Sequence, residues 1–147
     1  MKLAERGWQV TGVDIVERAL ERAAERIEDV GVQMRVVQAD VTDLRSAGLE
    51  TEFRLVLDTG TFHGLGDEQR LKMGREIDEI ASEDATVLLD AFAPRRRGPL
   101  PRGASRSDIE AAFPDWLITD VEVADTDPDP IAKLLRFDEH FYRLRRR

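Results

Sequence analysis

Three aspartates stand where short apolar runs end. Asp14 lies near the close of Trp8 to Val16 (WQVTGVDIV), Asp40 follows Gln33 to Ala39 (QMRVVQA), and Asp58 follows Phe53 to Leu57 (FRLVL). In an open parallel sheet, ligands bind outside the carboxyl ends of the strands, where the strand order reverses. An acid ending the second strand of a nucleotide-binding unit is placed to accept hydrogen bonds from ribose hydroxyls. An acid at the next strand end can accept from the exocyclic amine of adenine, and Asp58 would then face the cationic end of such a ligand. Each acid also has a plainer reading, because aspartate is favoured as a helix N-cap. Recurrence at corresponding strand ends favours the site.

His63 follows the third run, in Thr61-Phe62-His63-Gly64. A histidine titrating near neutral pH suits a base that takes a proton from a substrate hydroxyl. The competing reading is a histidine that hydrogen-bonds a loop backbone. His140, Tyr142, Trp8 and Trp116 read as packing residues.

The elements that must carry these side chains alternate. The Trp8 to Val16 run is rich in β-branched residues and reads as a strand. Glu17 to Val30 carries Ala and Leu at helical spacing, with Gly31 as its stop. Gln33 to Ala39 and Phe53 to Leu57 read as strands. Gly66-Asp67 opens a helix running to about Ser82, with Asp67 as N-cap. Thr86 to Phe92 (TVLLDAF) is nearly continuous in apolar residues, as a strand covered on both faces would be. Pro94 to Gly103 is a Pro/Arg/Gly-rich loop placed to cover the site, and Ser105 or Ser107 caps a short helix ending near Phe113-Pro114. Trp116 to Ala124 and Leu134 to Leu144 read as two late strands, separated by the turn-rich stretch from Asp125 to Pro130. The layout is α/β with a mostly parallel sheet and a closing antiparallel hairpin.

With 147 residues, the chain is the size of one ordinary domain and is read as a single one. Its 22 basic and 30 acidic residues give a net charge of −8, which argues against general affinity for nucleic acid. The basic clusters Arg95-Arg96-Arg97 and Arg143 to Arg147 read as a solvated loop and a tail. There is no apolar run long enough to span a membrane, no cysteine, and no histidine pair spaced as metal ligands, so neither a membrane nor a metal site is expected. A cytoplasmic location is the default expectation.

On these residues the chain resembles the class I, Rossmann-like S-adenosylmethionine-dependent methyltransferases. LAERGWQVTGVDIVERAL is similar to the family's passage from the first helix into the second strand. VVQADVTDL resembles its third-strand motif, LVLDTGTFHGL its fourth, and FDEHFYRLRR the last strand of its antiparallel hairpin. The resemblance implies S-adenosylmethionine as cofactor and a small-molecule methyl acceptor. It implies that Asp14 binds the ribose, that Ile15 packs on the adenine, and that Asp40 and Val41 lie beside that ring. Asp58, Thr59 and Gly60 would line the methyl-donor site, with His63 facing the substrate.

One part of the family pattern has no counterpart. The usual first strand and glycine-rich loop would fall about 20 residues before Asp14, ahead of Met1. The expectation is therefore a methyltransferase domain lacking its central strand: a truncated chain, a smaller sheet in which the flanking strands pair directly, or a homodimer that exchanges elements. Two other functions compete. A catalytically inactive methyltransferase-like module would dispense with the glycine-rich loop. A short-chain nicotinamide-dependent oxidoreductase would share Asp14 and the ADVTD run, but would need a Tyr-x-x-x-Lys pair, and here Tyr142 is followed by Arg146.

Overall fold

The computed structural model describes residues 1–94, 102–123 and 139–147. The chain divides into two compact units, Met1–Leu49 and Glu50–Arg147.

The first unit opens with a short helix, α1 (Lys2–Glu5), followed by β1 (Thr11–Asp14), α2 (Glu17–Val30) and β2 (Arg35–Gln38). β1 and β2 pair in parallel, with Val13 opposite Val37 and Asp14 opposite Gln38. This is a β-α-β unit, and α2 ends at Gly31 as its sequence requires. β1 is shorter than the run from Trp8 to Val16. Trp8, Ile15 and Val16 lie outside the ladder and are exposed.

The second unit contains β3 (Phe53–Thr59), α3 (Asp67–Ile80), β4 (Ala81–Phe92), α4 (Arg106–Ala112), β5 (Trp116–Val123) and β6 (Glu139–Arg146). Its sheet runs in the order β3-β4-β6-β5. β3 and β4 are parallel, and β6 is antiparallel to both of its neighbours. The last strand is thus inserted between β4 and β5, so β6 lies inside the sheet and β5 at its edge. β1 and β2 make up the sheet of the first unit, and the four-stranded sheet belongs to the second.

Packing follows from strand alternation. Val87, Leu89 and Ala91 of β4 and Tyr142 and Leu144 of β6 are buried, together with Met73, Ile77 and Ile80 of α3 and Ile109, Ala112 and Phe113 from α4 and its end. The intervening Leu88, Asp90 and Phe92 are half-buried. The TVLLDAF run is therefore covered unequally on its two faces, where a parallel-sheet reading expects equal cover. β4 also begins earlier than Thr86, at Ala81, because Phe53 pairs with Ala81 across a bulge.

Helix starts divide between expectation and correction. Ser105 caps α4 as expected. Its hydroxyl accepts from the Asp108 N–H at 3.1 Å, while an Asp108 carboxylate oxygen accepts from the Ser105 N–H at 2.7 Å. At α3 the N-cap is Gly66 and Asp67 is the first helical residue. Gln69 Oε1 accepts the Gly66 N–H at 3.0 Å, and the Asp67 carboxylate takes a 2.9 Å ion pair from Arg102. Arg95-Arg96-Arg97, most of the Pro94–Gly103 loop, Asp125 to Pro130 and the first part of the Leu134–Leu144 run lie outside the described residues. No helix among the described residues is long and apolar enough to cross a membrane.

Candidate functional site

The carboxyl ends of the parallel strands hold the residues singled out by type and spacing. In the first unit, Asp14 ends β1, and its Oδ1 accepts the Val16 N–H at 2.8 Å. Asp40 lies two residues beyond β2, and its Oδ1 accepts the Thr42 N–H at 2.8 Å. The two carboxylates are held by the same two-residue turn, in which a short side chain replaces a backbone acceptor. Gln38 reaches back to donate to the Ile15 carbonyl at 3.2 Å, and the Ala39 N–H donates to the Asp14 carbonyl at 3.1 Å, so the two strand ends are tied together. Ile15 is 61% exposed directly beside Asp14. Val41 is half-buried next to Asp40. This edge can accept hydrogen bonds from hydroxyls and present an aliphatic surface to a ring.

The second unit brings Asp58, Thr59, Gly60 and His63 together at the end of β3. Asp58 is buried, and both of its oxygens are engaged: Oδ1 accepts the Thr61 N–H at 3.0 Å and Oδ2 the Phe62 N–H at 2.9 Å. It caps the turn at Phe62–Gly64, the structural role that competed with a ligand-facing one. Gly60 has φ +96°, a region that disfavours a side chain, and an added Cβ would lie 3.2 Å from His63 Cε1. Glycine is therefore required twice over at this position.

His63 is buried and stacks on Phe92 at a ring-centroid distance of 4.5 Å. Its Nδ1 accepts the Phe92 N–H at 3.3 Å. A neutral ring that accepts at Nδ1 carries its proton on Nε2, which makes that nitrogen a donor. In this tautomer the ring offers no nitrogen to take up a proton from a substrate. Backbone hydrogen bonding, the alternative to catalysis in the sequence reading, is what the geometry displays.

Two residues at this end went unremarked in the sequence. Arg70 is 3% exposed. Its guanidinium donates to the carbonyls of Phe62 (3.2 Å), His63 (3.2 Å) and Gly103 (2.6 Å), and lies 3.3 Å from Asp108. It joins the loop after β3, the loop after β4 and the start of α4. Burial lowers the Arg70 pKa from its ordinary value, against the pull of Asp108. Burial also works against the Asp108 carboxylate, but hydrogen bonds from the Ser105 backbone and hydroxyl, aided by Arg70, hold it below the usual range. The signal was present: Arg70, Met73, Gly74 and Ile77 fall on one helical stripe, so an arginine sits among core positions.

The second is Asp90, near the carboxyl end of β4, opposite Thr59 of β3 and Phe141 of β6. Burial raises its pKa to about 6, with further contributions from the neighbouring acids Glu139 and Asp58. Its signal was an acid interrupting the apolar run Val87-Leu88-Leu89-Asp90-Ala91-Phe92. The remaining aromatics divide. Trp116 and Tyr142 are buried packing residues, whereas Trp8 is 44% exposed. Among the described residues no cluster of His, Cys, Asp or Glu could hold a metal ion.

A parallel β-α-β unit with acids at its strand ends, and a sheet closed by an inserted antiparallel strand, define the Rossmann-like class I S-adenosylmethionine-dependent methyltransferase fold. The methyltransferase domain family matches residues 1–84, more than half of the chain, and the chain belongs to that family. Uncharacterized methyltransferases of Schizosaccharomyces pombe are 29% identical over 91 residues, 62% of this chain, and the match spans 61% of their own length.

Solved structures agree at the level of the fold. A chain studied in the conversion of a disulfide bond into a thioacetal group during echinomycin biosynthesis superposes with a TM-score of 0.78 at 20% identity, covering 99% of this chain and 69% of that one. An N-methyltransferase of Bradyrhizobium japonicum in complex with S-adenosyl-L-homocysteine gives 0.76 at 14% identity, covering 94% and 66%. The 1,6-didemethyltoxoflavin-N1-methyltransferase of Burkholderia thailandensis, with 1,6-didemethyltoxoflavin and S-adenosylhomocysteine bound, gives 0.74 at 21% identity, covering 97% and 63%.

S-Adenosylmethionine is the cofactor this family implies, and the residues present fit its adenosine half. Among the described residues, Asp14 Oδ1 has one backbone donor, so the carboxylate retains capacity for hydroxyl donors beside the exposed Ile15. A glycine-rich loop of the family type, which would approach the methionine half, does not occur within the 147 residues.

Proposed function

We propose that this domain binds S-adenosylmethionine and transfers its methyl group to a small-molecule acceptor. The observation that carries this reading is the pair Asp14 and Asp40, two carboxylates held by identical turns at the ends of adjacent parallel strands. Asp14 accepts from the ribose hydroxyls, Ile15 and Val41 pack on the adenine, and Asp40 accepts from its exocyclic amine. By the family resemblance, Thr59 and Gly60 are assigned to the methyl-donor side, in a loop that Asp58 holds in shape. The cofactor supplies an electrophilic methyl on a sulfonium; the protein's part is to align the acceptor and keep water away. The acidic balance of the chain favours a small acceptor over nucleic acid.

Isothermal titration with S-adenosylhomocysteine tests the reading. Binding is expected, with at least a tenfold loss in Asp14→Ala, because a charge-assisted hydrogen bond contributes about 1.5–3 kcal/mol. No heat of binding to the folded protein would reject cofactor use and leave a methyltransferase-like module without catalysis.

A further inference from the structure

Resting on the methyl-transfer reading, we propose that Asp90 is the base that takes the proton from the methyl acceptor, and that the acceptor is an amine. Asp90 lies at the carboxyl end of the parallel pair, opposite Thr59, in the place where open α/β sheets bind ligands. Its Oδ1 is shielded from solvent, and among the described residues no donor reaches it. A buried carboxylate oxygen without a donor is costly and needs a proton or a ligand group.

Glu139 lies diagonally across the β4–β6 ladder from Asp90, and its carboxylate works against ionisation of Asp90. The charged groups acting on Asp90 among the described residues are Glu139 from β6 and Asp58 from β3, both acidic. The neighbouring turn contributes His63, whose ring bonds the Phe92 backbone two residues on. The local charge is therefore negative and favours a cationic acceptor. The raised pKa of about 6 brings Asp90 closer to working pH than an ordinary carboxylate, which is what proton transfer requires.

The step balances without any further reagent. The acceptor ammonium gives a proton to the Asp90 carboxylate. The freed nitrogen lone pair attacks the methyl carbon, the carbon–sulfur bond breaks, and its electron pair stays on sulfur as S-adenosylhomocysteine. His63 is left as a scaffold.

Two measurements test this. Carboxyl 13C NMR should show Asp90 titrating near pH 6, with a lower midpoint in Glu139→Gln; an ordinary midpoint near 4 that ignores Glu139→Gln would overturn the proposal. Release of S-adenosylhomocysteine from S-adenosylmethionine, assayed with small amines and, separately, phenols, should occur with amines. It should fall about 10²–10⁴-fold in kcat for Asp90→Asn with KM little changed. Asp90→Asn should bind S-adenosylhomocysteine like the parent, which separates a lost base from a lost fold. Undiminished turnover in Asp90→Asn, or turnover of phenols alone, overturns the inference. A parent that binds no S-adenosylhomocysteine rejects the methyltransferase reading itself, and this assignment with it.

Discussion

Asp90 carries a stability consequence that is separate from its chemistry. Its folded pKa of about 6 lies above the ordinary value of 3.8, so the folded state binds the proton more tightly than the unfolded chain. The group therefore costs no stability below pH 3.8, and the cost grows as pH rises and is complete above about 6. Discounted for partial exposure, the penalty at neutral pH is on the order of 1 kcal/mol. Asp90→Asn should raise the melting temperature by several degrees at pH 7.5 and leave it nearly unchanged at pH 4, as thermal scans at the two pH values would show. At Gly60 the expected effect has the opposite sign. Gly60→Ala places a Cβ in a left-handed conformation and against His63, which should cost about 1–2 kcal/mol in denaturant unfolding. These residue-scale features were unequally legible. The strand-end acids could be read because strands end at turns, and turns favour aspartate. Asp58 shows the limit of such reading, since a cap and a ligand group call for the same residue, and only the two backbone N–H groups on its oxygens reveal the cap. His63 shows the same limit, because sequence order does not disclose which ring nitrogen meets the Phe92 amide.

Among the elements, α3 and α4 decide how the end of β3 is held. Arg70 on α3 satisfies three carbonyls from two loops and faces Asp108 on α4. Arg70→Met would leave those acceptors and a carboxylate without their donor, at a cost of about 3 kcal/mol. Arg70→Lys keeps the charge, but a single ammonium cannot reach the same fork of acceptors, so it should recover only part of the loss. Chemical denaturation of the two variants checks both values, and equal stability of all three proteins would contradict this account of the loops. Gly74 plays a complementary part: a Cβ there would run into the Ala112 backbone, so the two helices approach closely because this residue has no side chain. Element types could be read from periodicity, but their limits could not. β1 stops short because Trp8 and Val16 find no ladder partner, and β4 starts early because a bulge extends its pairing with β3. The insertion of β6 between β4 and β5 is a long-range pairing that local pattern does not encode.

At the scale of the whole molecule, burial is lopsided. Leu44 is the one buried hydrophobic residue of the first unit among the described residues, and α2 buries none. The second unit holds the remaining core, centred on β4, β6, α3 and α4. Since helix stability in proteins comes mainly from a packed apolar face, the first unit should open more readily than the second. Native-state hydrogen exchange is expected to show amides of β1, α2 and β2 exchanging at least tenfold faster than those of β4 and β6. The putting together of this asymmetry with the proposed cofactor edge gives a sharper expectation. Asp14 and Asp40 lie in the less stable unit, so a ligand held there stabilises that unit by mass action, by about 2.7 kcal/mol at a hundredfold excess over its dissociation constant. Saturating S-adenosylhomocysteine should therefore slow exchange in β1 and β2, and at the Val16 and Thr42 amides, by about a hundredfold. β4 and β6, whose opening is governed by their own core, should change much less. A ligand that protected only the second unit would place the adenosine away from Asp14 and Asp40, and the assignment of those two carboxylates would fall.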